Sequence, residues 1–95
     1  MTGIATMDNS EENRTNIDLL FTNLSLAMAF LEIAETSKNG AAHQRNRNHA
    51  WDAQRAALRL LSRVTLTADE NQLIQQRLSV LKNRLEAAGS RFPDI

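Results

Sequence analysis

The chain predicts an all-α fold, an antiparallel up-down-up three-helix bundle with helices over 10–38, 41–63 and 68–88. Three observations predict it. Apolar residues recur every three or four positions in three separate segments, the period of one helix face. No run alternates apolar with polar residues for long, so strand patterning is missing. Helix-capping and helix-ending residues fall between the three periodic segments.

The first segment carries Ile17, Leu20, Leu24, Ala27, Leu31 and Ala34 at spacings of 3, 4, 3, 4 and 3. That is an unbroken core-facing row. A second row holds Leu19, Leu26, Phe30 and Ile33, and Phe21 and Met28 add a third edge. A helix apolar almost all round is enclosed by neighbours of its own chain or by a partner. Asp8, Asn9 and Ser10 can cap its free N–H groups, and Glu11 and Glu12 follow at the positive end of the macrodipole. Lys38, Asn39 and Gly40 are read as its closing signal.

The second segment has Ala50, Ala53, Ala57, Leu60 or Leu61, and Val64 on one face, with Trp51 and Leu58 beside it. So much alanine lets a neighbouring helix approach closely. The polar stretch from Gly40 to Asn48 leaves the start of this helix open, near 41 or near 48. Next, Thr67-Ala68-Asp69-Glu70 fits a capping box. The third segment carries Ile74, Leu78, Leu81, Leu85, Ala88 and Phe92 at spacings of 4, 3, 4, 3 and 4, with Gly89 as the expected stop and Pro93 barring continuation. Short connections make successive helices antiparallel neighbours. The organisation expected is a flexible arm over 1–9, one helical domain over 10–92 and a tail over 93–95.

Composition bounds the function. With 95 residues there is room for one core, and a domain of this size buries about 60–65 % of its unfolded surface, which leaves self-association open. The absence of cysteine excludes disulfides and thiolate zinc sites. Eleven Lys and Arg balance eleven Asp and Glu, so the chain as a whole does not seek polyanions. No basic stretch followed by an apolar one marks a secretory signal at the N-terminus. The apolar zone around Leu24–Ala34, broken by Ser25 and Glu32, falls short of the ~20 residues of a membrane span. The cytoplasm is the default expectation.

No reaction class finds its residues. Glu11/Glu12 and Asp69/Glu70 sit at helix starts, where the dipole accounts for them. Glu32 and Glu35 are expected to pair with bases of the second helix. His43 and His49 stand six apart, which points them away from each other on a helix, and both are read as exposed. His49 and Asp52 have a ligand-like spacing, but two ligands without a third make no metal site. No nucleophile elbow, S-x-x-K or glycine-rich phosphate loop is present. Hence no catalytic residue, cofactor or metal is expected.

Charge is distributed unevenly. Met1–Gly40 carries a net −4 and Ala41–Arg63 a net +4. Arg55, Arg59 and Arg63 form an i, i+4, i+8 stripe able to grip phosphates, with Arg45 and Arg47 extending it.

From the second helix onward the chain resembles a loose group of short bacterial all-helical proteins without assigned activity. The resemblance rests on Arg47-Asn48, Ala53, Ala57-Leu58-Arg59-Leu60-Leu61, Leu66-Thr67-Ala68-Asp69-Glu70, Leu78, Leu81-Lys82, Leu85 and Gly89. Members often carry an aromatic where Gln54 stands. The resemblance implies the helical fold and a cytoplasmic setting, and no reaction.

Two functions compete. The first is a non-enzymatic protein-protein interaction module, a homodimer or a binder of another helical protein, working through Leu20, Phe21, Leu24, Met28, Phe30 and Leu31. The second is a small nucleic-acid-binding or regulatory protein using Arg55, Arg59 and Arg63.

Overall fold

A computed structural model of the chain describes the backbone of residues 3–91 and the side chains of 10–89. Three helices account for nearly all of it: α1 (Gly3–Thr36), α2 (Gly40–Leu61) and α3 (Ala68–Arg91). Among the described residues there is no strand. Helix α2 runs back along α1, and α3 returns parallel to α1. The direction is fixed by ion pairs at both ends, Arg14 with Glu70 and Glu35 with Arg84. The bundle is a rod of 60 × 23 × 19 Å. Its length is set by α1, since 34 helical residues span about 51 Å.

The core is the set of rows read from the periodicity. Ile17, Leu20, Leu24, Ala27, Leu31 and Ala34 of α1 are all buried. They meet Ala50, Ala53 and Ala57 of α2 and Ile74, Leu81, Leu85 and Ala88 of α3. Leu60, Leu61, Val64 and Leu78 are half-buried at its margin. Helix α1 packs mainly against α2 and much less against α3. Small alanine side chains let the α1 and α2 backbones approach, whereas the leucines of α3 hold it further off.

Five boundaries differ from the sequence expectation, one of them the end of α2 at Leu61, two residues before the expected Arg63. Helix α1 begins at Gly3, ahead of the expected Ser10, because nothing over 3–9 breaks a helix. Asn39 does not close α1. It lies extended (φ −100°, ψ 126°) as the N-cap of α2, its side chain accepting from the Ala42 N–H at 3.0 Å. Helix α2 therefore starts at Gly40, which resolves the choice between 41 and 48. Gly89 is helical and α3 continues to Arg91. The reason for glycine is a close approach. A Cβ at position 89 would lie 2.8 Å from Cζ of Arg47 and closer still to its Nη2. Phe92 and Pro93 lie outside the described residues.

The capping box forms as read. The Glu70 N–H donates to Thr67 Oγ1 at 3.1 Å, and the Thr67 N–H donates to Glu70 Oε1 at 2.9 Å. A second clasp holds the connection between α2 and α3 onto α1. The Asn13 amide donates to the Thr65 carbonyl at 3.0 Å and accepts from the Thr65 N–H at 2.7 Å.

By length and composition, Ser10–Thr36 is long and apolar enough to cross a membrane, with a best-window mean hydropathy of 1.6. This corrects the reading based on one uninterrupted run, because the average over the helix absorbs Asp18, Asn23 and Glu32. In the bundle, its core row is enclosed by α2 and α3.

Candidate interaction surface

The structure divides the six candidate interface residues. Leu20, Leu24 and Leu31 are core, while Phe21, Met28 and Phe30 are half-buried and pack against it. Phe21 lies under Arg77, whose Cζ is 5.4 Å from the ring centroid, a cation–π contact between α1 and α3. Met28 receives the Arg84 Nη1–H at its sulfur. Phe30 packs its ring 4.9 Å from that of His49 on α2. All six thus stabilise the bundle.

The uncovered apolar surface of α1 is instead the second row without Phe30. Leu19, Leu26 and Ile33 are 46 %, 45 % and 50 % exposed. Their seven-residue spacing keeps them along one edge of the helix, as in a coiled-coil seam. Helices α2 and α3 cover the rows on either side of the core row and leave this one bare.

Electrostatics rearrange the expected pairs. Glu35 does not reach α2. It accepts from Nε of Arg84 on α3 at 3.0 Å and pairs with Nη2 of the same guanidinium. This hydrogen bonding raises the Arg84 pKa above its ordinary value. Glu32 is exposed, with no ion pair among the described residues. On α3, the Thr67 backbone N–H donating to Glu70 holds that carboxyl below the usual carboxylate range, helped by Arg14.

The arginine stripe is only partly free. Arg55 is held by Asp52 at 2.6 Å. Arg59 and Arg63 are exposed, and no carboxylate within the described residues pairs with them. Arg47 does not extend the stripe, because its Nε donates to the Leu85 carbonyl at 3.2 Å over Gly89.

His43 overturns the reading of two exposed histidines: it is 1 % exposed, whereas His49 is exposed. Its Nδ1 lies 2.8 Å from the Ala34 carbonyl oxygen and its Nε2 lies 2.9 Å from that of Ala88. Both oxygens belong to the last turns of their helices, where carbonyls lack intrahelical donors. Carbonyl oxygens are acceptors, so a ring nitrogen that bonds one does so by donating its hydrogen. One α2 side chain thereby ties the ends of α1 and α3 together. This residue has a structural role that sequence reasoning missed. The signal was there: position 43 lies seven before Ala50, on the buried row of α2.

Among the described residues no three His, Cys, Asp or Glu side chains converge. The outer face of α1 offers apolar contact from Leu19, Leu26 and Ile33 beside the exposed charges of Asp18 and Glu32. No known protein family, curated protein or solved structure matches the chain.

Proposed function

We propose that the protein is a non-enzymatic helical interaction module that pairs with a second copy of itself through the outer row of α1. The bare row Leu19, Leu26 and Ile33 carries this reading. Three large aliphatic side chains, half in water and spaced by two helical turns, gain from being covered. A second copy is favoured over an unrelated helix by charge. Acidic α1, with Asp18 and Glu32 exposed, is complementary to basic α2, with Arg45 and Arg59 exposed. A two-fold axis repeats any such contact, so each copy supplies one acidic and one basic strip.

The test is Leu26→Glu, at the centre of the row, read by sedimentation equilibrium. The variant is expected to weaken self-association at least ~10-fold with its helical circular dichroism unchanged. A wild type that stays monomeric at millimolar concentration overturns the reading. The polyanion reading has weaker support, because the net charge is zero and Arg55 is neutralised by Asp52. A salt-dependent mobility shift carried by Arg59 and Arg63 would revive it.

A further inference from the structure

The bare row of α1 belongs to a longer pattern. Leu19, Thr22, Leu26, Ala29, Ile33 and Thr36 are all exposed and follow one another at spacings of three and four. That is the a/d repeat of a coiled-coil seam, here on the outside of a bundle. A seam of alternating large and small side chains can meet its own copy with the two helices running the same way or opposite ways. The charges on its flanks distinguish the two.

Glu11, Asp18 and Glu32 are exposed and separated by seven and fourteen residues, so they share one edge of α1. That edge is the flank toward α3. Glu32 borders a cleft shared with Arg77 and Leu81 of α3, and Asp18 lies beside Arg14, which reaches across to Glu70. On the flank toward α2, Phe30 packs on His49. Arg45 stands about one turn from His49 along α2 and Arg63 about four turns, which places both on the edge that His49 occupies. Both arginines are exposed, with no carboxylate in ion-pair distance among the described residues; Glu12 shares a pocket with Arg63 and still does not pair with it. Their heights along the rod also match the acids. His43 meets Ala34 and His49 meets Phe30, so Arg45 stands level with Glu32. Arg63 borders the same pocket as Asn13 and Asn16, between the levels of Glu11 and Asp18. Within one copy, the seam separates these acids from these arginines.

From this placement we infer that the second copy docks parallel and in register, Leu26 against Leu26, with the two-fold axis running along the rods. This rests on the self-pairing proposed above and adds its direction. An axis along the rods turns the acidic flank of each copy toward the arginine flank of the other. Glu32 then faces the partner's Arg45, and Glu11 and Asp18 face the partner's Arg63. An axis across the rods sets acid against acid and arginine against arginine, which is repulsive at both flanks. Charges flanking an a/d seam set the direction of coiled-coil pairs in this way. Each exposed pair is worth only roughly 1.5- to 5-fold, but every pair occurs twice, and together they favour the parallel direction by roughly 10-fold.

The chain has no cysteine, so single cysteines report the direction cleanly. Thr22→Cys and Ala29→Cys leave the aliphatic row intact. Equal amounts of the two variants, one labelled with nitrogen-15, are mixed in a glutathione redox buffer, and the disulfides are resolved by mass. The expected result is 22–22 and 29–29 products, with the mixed 22–29 product well below the half that random pairing gives. Asp18→Arg and Arg63→Glu should each weaken self-association about 3- to 10-fold in sedimentation equilibrium, and the double variant should recover most of the loss, all with wild-type helical circular dichroism. An excess of the mixed product overturns the parallel direction and leaves self-pairing standing. Cross-linking no faster than that of Gln76→Cys on the outer face of α3, in a chain monomeric at millimolar concentration, overturns both and leaves the seam to another helix or a lipid surface.

Discussion

Replacing His43 with leucine tests whether a single polar contact organises the ends of the bundle. Leucine fills nearly the same space, so the change removes hydrogen bonds without opening a large void. Two carbonyls lose a partner. The Ala34 oxygen also accepts the Ser37 N–H at 3.2 Å and remains partly satisfied, so its loss costs about 1 kcal/mol. The Ala88 oxygen, in the last turn of α3, loses about 1–3 kcal/mol. The greater apolar burial of leucine returns about 1 kcal/mol. The net is a destabilisation of about 2 kcal/mol. For a domain of this size that lowers the Tm by roughly 8–16 °C. Urea unfolding followed by Trp51 fluorescence should show a lower midpoint and an unchanged slope. A His43→Leu protein as stable as wild type, or more so, would refute the reasoning: the ring would then be tolerated in the core rather than used by it.

Three further outcomes follow from the termini of α3. Thr67→Ala should cost about 1 kcal/mol by removing the cap. Because the Glu70 carboxyl is held below its ordinary value near 4.5, its contribution is complete above that pH and is lost as pH falls through the lower folded-state value. The stability gap between wild type and Glu70→Gln, measured by urea unfolding, should therefore shrink between pH 6 and pH 3. Gly89→Ala in an Arg47→Ala background should stabilise by about 0.5–1 kcal/mol, because alanine favours the helix interior once the guanidinium is gone. In the wild-type background the same change forces Arg47 aside, so thermal melts of the four-member cycle should show a non-additive pair.

The core rows were legible because helix periodicity is local: Ile17 through Ala34 need no knowledge of their partners to declare a face. The capping box at Thr67–Glu70 was legible for the same reason, being a contact over three residues. What escaped the sequence depends on distant residues. Gly89 looks like a stop until Arg47, 42 positions earlier, is seen resting on it. His43 looks like a surface residue until carbonyls 9 and 45 residues away close around it. Glu35 chose Arg84 on α3 over the arginines of α2, a choice set by the angle at which α3 returns. On α1 the sequence marked the Ile17–Ala34 row as core-facing but did not decide which of the other two apolar edges would stay uncovered. Only the paths of α2 and α3 determine that Leu19, Leu26 and Ile33 stay wet.

The unequal packing of the three helices also bears on the order of assembly. Helices α1 and α2 are joined by three residues and meet along facing alanines, so their closure costs little chain entropy. Helix α3 and the connection that leads into it are fastened by contacts spanning 38 to 56 residues, among them Arg47 to Leu85, Asn13 to Thr65 and Arg14 to Glu70. Such long closures are made only after the hairpin exists to receive them. The third helix is accordingly expected to join last and leave first, and a hairpin without it would show water the leucines that α3 had covered.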